Sequence, residues 1–169
     1  MKAWKLKEDV RLFAIDGQTE VLRLKARNII DFSPTFDAFA SQQPQPSFAM
    51  KRRGMKSTFV RDHWDILGAD SKAIGYIQET SSGLALVRRW IELIPFGGIL
   101  GLILVFVAQT YSLILFTDAG EYTAATIIHK KNPVLVKMSL DSTAAPEWYN
   151  PLWGIAATSL LSILDATKN

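Results

Sequence analysis

The chain has 169 residues, 49% of them hydrophobic, and a formal net charge of +3. That is length for one domain with a real core, at the apolar edge of what a soluble domain carries. Cysteine is absent, which excludes disulfides and thiolate metal sites. Met1 to Lys5 opens on charged sequence with no apolar stretch, so no secretory signal is expected and the expected location is cytoplasmic, with a membrane surface as the variant.

Most of the chain alternates with a period near two. Val10 to Ile15 reads as a strand, Asp16-Gly17 as a turn, and Glu20 to Arg27 as the next strand. There Leu22, Leu24 and Ala26 face one way and Arg23, Lys25 and Arg27 the other, the pattern of a half-buried strand. Thr35 to Ser41 repeats it, and residues 42–46 (QQPQP) form a polar loop. Phe48 to Arg53, Thr58 to Leu67 and Ala73 to Glu79 follow as strands. Turns every 8 to 12 residues or so predict a β-barrel or sandwich.

The net charge is unevenly placed. Residues 1–56 hold 11 basic and 6 acidic side chains, and the densest basic cluster is Lys51, Arg52, Arg53 and Lys56. Its plain reading is a solvated turn between two strands. Its sharper reading is a dock for lipid phosphates, because a Lys or Arg near an anionic leaflet is worth about 1 kcal/mol. Nucleic acid is disfavoured as a partner, since neither a recognition helix nor a stacking signature is present. Leu84 to Ile94 reads as a short amphipathic helix with Leu84, Val87, Ile91 and Ile94 on one face, capped by Ser81 or Ser82 and ended by Pro95. Arg88, Arg89 and Trp90 would suit an interfacial anchor; a helix plugging one barrel end is the alternative.

From Glu92 to Asp118 no charge intervenes, and Ile99 to Ala108 reads ILGLILVFVA. Pro95, Gly97, Gly98 and Gly101 interrupt the gap early, and Gln109, Thr110 and Ser112 make its end polar. The purely apolar piece falls in the range of about 10 to 14 residues that is better read as buried or interfacial than as a span. A buried strand or core segment is the leading reading, followed by a membrane-inserting loop in which Phe96, Ile99 and Leu100 touch lipid, then a spanning helix. From Thr110 the pattern is a hairpin turning at Asp118-Ala119-Gly120. Pro151 opens a helix at its favoured first position. Leu152 to Leu164 is apolar or small on every side, so this helix must be buried from all directions. It is too short for a bilayer and suits the axis of a closed β-barrel.

A β-rich chain ending in an all-apolar helix resembles the tubby-like superfamily, which includes the phospholipid scramblases and the LURP-one-related proteins. Residues 3–10 (AWKLKEDV), 25–33 (KARNIIDFS), 51–57 (KRRGMKS), 61–67 (RDHWDIL), 84–89 (LALVRR), 131–133 (KNP) and 154–157 (GIAA) look like the bacterial branch, and in the same order. The resemblance covers nearly the whole chain as one domain, 1–169. It implies about a dozen antiparallel strands around the C-terminal helix, and a protein that binds lipid or acts at membranes. Three departures stand out: further strands would normally precede the Lys5-Leu6-Lys7-Glu8-Asp9 segment, 96–108 is a surplus apolar insertion, and Trp148-Tyr149-Asn150-Pro151 lacks expected arginines. One idea joins the first two, with Ile99 to Val107 filling the place of the missing strands.

Signals for catalysis are weak. His63 and His129 are far apart in sequence, and no Ser elbow, phosphate loop, zinc spacing or dinucleotide fingerprint occurs. Asp118 to Glu121 lacks the alternating oxygens of a calcium loop. The expectation is a non-catalytic barrel without cofactor or metal. It would be a peripheral lipid-binding module through Lys51, Arg52, Arg53, Lys56, Arg88 and Arg89, with Trp90, Phe96, Ile99 and Leu100 as apolar contacts. A soluble structural or protein-interaction barrel is the alternative, and a membrane-anchored lipid transporter is less favoured.

Overall fold

The computed structural model describes residues 9–27, 33–41, 43–53, 63–80, 109–130 and 137–166. Nine strands form one antiparallel sheet in strict chain order: β1 (Asp9–Phe13), β2 (Glu20–Ala26), β3 (Thr35–Ala40), β4 (Phe48–Arg52), β5 (His63–Gly68), β6 (Ala73–Glu79), β7 (Gln109–Thr117), β8 (Gly120–Lys130) and β9 (Lys137–Asp141). One helix, α1 (Pro151–Ala166), follows.

Alternation decides which face is buried. Leu22 and Leu24, Phe36 and Ala38, Phe48 and Met50, Trp64 and Ile66, Ile77, Leu113 and Leu115, and Ile127 all lie on one face with almost no exposure. Paired residues share a face, and the register carries this apolar row across the sheet through Leu24↔Ala38, Ala38↔Phe48 and Met50↔Ile66. α1 packs against this face and touches β2, β8 and β9. Nine strands spaced about 4.8 Å apart would span about 38 Å if flat, while a helix is only about 10 Å wide. A helix that reaches both β2 and β9 therefore requires the sheet to curl around it.

The curl does not end in a ladder. β1 and β9 do not pair with each other, so among the described residues the sheet is open along one seam and the expected closed barrel is not formed. Among the described residues nine strands stand, where the resemblance implies about a dozen for the whole chain. β9 was not foreseen: Lys137–Asp141 is short, with Lys137, Ser139 and Asp141 exposed and Met138 and Leu140 half-buried. The strand expected over Thr58 to Leu67 is described from His63 onward. The amphipathic helix expected over 84–94 and the insertion 96–108 lie outside the described residues.

α1 starts at Pro151 as expected but is not buried from all directions. Gly154, Ala156, Ala157, Leu160, Leu161 and Leu164 form a buried face, while Leu152, Trp153, Ile155, Thr158, Ser159, Ser162 and Ile163 are half-buried, because the open sheet covers one side of the helix more than the other. Asn150 caps it, its side-chain oxygen accepting the Leu152 N–H at 3.0 Å. From Leu152 to Leu164 no residue is exposed. The Thr158, Ser159 and Ser162 hydroxyls donate to carbonyls four residues back, each at 2.8 Å, which satisfies three polar side chains on the half-buried side of the helix. Gly154 permits close approach. A Cβ there would overlap the Tyr149 hydroxyl and stand 2.8 Å from a Leu140 methyl. Burial pushes the Tyr149 phenol above its usual pKa, with the Gly154 N–H acting in the opposite sense.

The outer face carries charge. Arg23 grips Asp9 through two contacts of 2.9 and 2.7 Å, and Arg27 grips Asp37 at 2.8 Å. His63 stacks on Tyr76 at 4.8 Å, and Tyr76 donates to Glu121 at 2.9 Å. Exposed pairs of this kind contribute about 0–1 kcal/mol each, so they trim the surface rather than hold the fold.

Among the described residues four carboxyls are held below their ordinary pKa of 3.8: Asp9 by its hydrogen bond from Arg23, Asp16 by the Thr19 hydroxyl, and Asp70 and Asp141 by the backbone N–H groups of Lys72 and Thr143. A folded pKa below the unfolded one means that folding favours the ionised form. This contribution is complete above about pH 4 and is lost as pH falls through the lowered values. The thermal midpoint followed by circular dichroism is expected to be flat from about pH 7 down to about 4.5 and to drop below that. In Asp9→Asn the acid limb should be shallower.

Candidate functional site

An in-order antiparallel meander has two unlike ends. Short connections (14–19, 41–47, 69–72 and 118–119) join β1 to β2, β3 to β4, β5 to β6 and β7 to β8 at what we call the hairpin end. Stretches 27–34, 53–62, 80–108 and 131–136 attach at the opposite, long-connection end. The described residues that flank these stretches therefore stand at that one end. Lys51, Arg52, Arg53 and Lys56 flank or follow the end of β4. Arg88, Arg89, Trp90, Phe96, Ile99 and Leu100 belong to the stretch between β6 and β7.

Of these ten, three are among the described residues, and strand alternation separates them. Lys51 is exposed on the outer face, where its register partner on β5 is Asp65. Arg53 is also outward, but Asp65 holds it with contacts of 3.0 and 2.9 Å. Donating to that carboxylate holds the guanidinium above its usual pKa. Arg52 has the inward parity, with its guanidinium carbon 6.0 Å from the Trp64 ring centroid. Lys56, Arg88, Arg89, Trp90, Phe96, Ile99 and Leu100 lie outside the described residues.

Charge separates between the two ends. Among the described residues, those exposed at the long-connection end are Lys25, Arg27, Lys51, Arg53, Lys130 and Lys137, with the acid Asp9 engaged by Arg23. Exposed at the hairpin end are Asp16, Asp70, Asp118 and Glu121, accompanied by Lys72. Asp16 and Asp70, with their lowered pKa values, stay ionised. The exposed Phe13, Ile15 and Phe116 also lie at the hairpin end.

Sequence reading passed over two features. Lys130 and Lys137 face each other in the last rung of the β8–β9 ladder; pairing β8 with β9 is what brings them together, and β9 itself was not anticipated. Glu79 and His129 have the inward parity near the same end and are 5% and 2% exposed. His129 Nδ1 lies 3.3 Å from Gln109 Oε1 on the neighbouring strand. His63 sits on the outer face, its Nε2 3.4 Å from Asp65 Oδ1. The two histidines are thus on opposite faces of the sheet and cannot act on one substrate atom. Among the described residues, no three His, Cys, Asp or Glu side chains converge as a metal site requires, and no helix is long and apolar enough to cross a membrane.

No protein-family model matches the chain, and no curated protein or solved structure does either.

Proposed function

We propose that this protein is a non-catalytic, tubby-like module, its open, curled sheet packed on α1, that docks peripherally on an anionic membrane by its long-connection end. The observation that carries this reading is the separation of exposed cations from exposed anions between the two ends of the sheet. A protein polarised in this way is drawn to a negative surface in one orientation. With a Debye length of about 10 Å at 0.1 M salt, the acidic end, more than one such length away, adds little repulsion.

The magnitudes set the mode of binding. Arg27 and Arg53 are already occupied by Asp37 and Asp65. Lys25, Lys51, Lys130 and Lys137 remain, and at about 1 kcal/mol each they supply about 4 kcal/mol at most. That corresponds to a dissociation constant on the order of 1 mM, so cations alone give a weak, salt-sensitive encounter. Durable attachment takes a second, apolar signal. The surplus segment 96–108, with Phe96, Ile99 and Leu100, is the proposed source, and Trp90 belongs to the same stretch.

Flotation of detergent-free protein with anionic and neutral liposomes, at low and high salt, tests this. The expected result is flotation with anionic vesicles that is largely lost at high salt. Flotation with both lipids that survives salt would assign the attachment to apolar insertion. Protein that never floats would overturn the reading in favour of a barrel that binds protein partners, for which the exposed Phe13, Ile15 and Phe116 are the available surface.

A further inference from the structure

Lys130 and Lys137 are the most unusual pair on the outer face. They oppose each other directly across β8 and β9, both exposed, and among the described residues neither makes an ion pair. Side chains so placed have Cβ atoms about 5 Å apart, and like charges in that relation destabilise the sheet. Elsewhere on this face arginines meet acids, as in Arg23–Asp9, Arg27–Asp37 and Arg53–Asp65. The other like-charged rung, Arg11↔Arg23, has Asp9 and Glu20 beside it, whereas the β8–β9 rung has no such acid among the described residues. It lies at the long-connection end, the end that carries Lys51 and Arg53, and Lys131 follows directly in the sequence.

We infer that Lys130 and Lys137 form a two-pronged contact for the phosphate groups of an anionic bilayer. The inference rests on the proposed membrane reading and names the site within it. Two ammonium groups held on adjacent strands can share one phosphate, or bridge two neighbouring headgroups, and an anion between them converts their mutual repulsion into attraction. Lysine suits this task because a flexible point charge follows headgroups that move.

The charge-neutral double variant Lys130→Gln/Lys137→Gln tests the inference, with Lys72→Gln at the hairpin end as control. Each protein is titrated with phosphatidylserine vesicles in low salt. Loss of two lysines near the leaflet should weaken partition about 30-fold, with a flatter salt dependence, and Lys72→Gln should match the parent. Removing the like-charge rung should also raise the thermal midpoint of the double variant by about one or two degrees. A pair kept for stability would give the opposite sign.

A double variant that binds vesicles as tightly as the parent would overturn the inference while leaving the membrane reading intact. A parent protein that does not bind at all would overturn both. Inorganic phosphate added at constant ionic strength should not displace the parent from vesicles. If it does, the lysine pair takes free phosphate and the bilayer assignment falls.

Discussion

Gly75→Val is expected to lower stability by about 3 kcal/mol or more, although valine is among the best strand formers. The reason is local. Gly75 sits on β6 between Ile66 of β5 and Leu115 of β7, beside the irregularity at Ile66/Leu67. A Cβ at this position would overlap the Ile114 carbonyl oxygen and approach the Leu115 Cα to 3.0 Å. These are backbone atoms of a strand paired on both sides, so nothing can swing away as a flexible side chain would. For a chain of this size the loss corresponds to a fall in thermal midpoint of roughly 6–12 °C. Gly75→Ala should cost nearly as much, because the offending atom is the Cβ itself. If Gly75→Ala is neutral or stabilising, the close approach of β6 to β7 is wrong. Gly17 is the useful contrast, with φ of +68° and nothing within 4 Å of its Cβ position. Alanine there should cost only the backbone strain, about 1 kcal/mol.

Leu160→Ala should destabilise by about 3 kcal/mol, and Ala157→Leu by about 1–3 kcal/mol, although the two changes are opposite in volume. Leu160 is 1% exposed and Ala157 is fully buried, both in the cluster that joins α1 to the concave face. Truncating the first leaves a hole that the curled sheet fills only in part. Enlarging the second forces a helix outward from a groove with no slack. A helix lying loosely on a surface would register both changes within about 0.5 kcal/mol. Thermal melts by circular dichroism separate these cases, and near-neutral results for both variants would refute the enclosed seat of α1.

The strands were legible wherever a wet face opposed a dry one. Leu22, Leu24 and Ala26 against Arg23 and Lys25 announce β2 without help from any neighbour, and Ala73 to Glu79 was bounded as found. The Asp118-Ala119-Gly120 turn and the Pro151 start were likewise local signals, whereas the all-round apolar surface of α1 pointed to fuller burial than an open sheet provides. β9 escaped because five residues with two charges give too short a period, and its placement depends on β8 being there to pair with it. The candidate site fared less well for a related reason. Lys51, Arg52 and Arg53 are consecutive and read as one basic cluster, but a strand sends consecutive side chains to opposite faces. Arg52 accordingly goes inward toward Trp64, and Arg53 goes to Asp65. The Lys130–Lys137 rung joins residues seven apart through a register that no local pattern specifies.

The strict chain order of the sheet also bears on how the molecule comes into being. Each strand pairs with its immediate predecessor and successor, so the search for partners is short and the contacts are local for a β-rich protein, a combination that favours rapid acquisition of structure. Such a sheet can zip up hairpin by hairpin as the chain leaves the ribosome. Its concave apolar face, however, is covered by α1, which is synthesised after the sheet and must reach back to β2. Until then Leu22, Phe36, Trp64 and Leu113 line an uncovered trough, the kind of transient surface on which unfinished chains aggregate. The interval between completing β9 and seating α1 is therefore the vulnerable moment in the life of this protein.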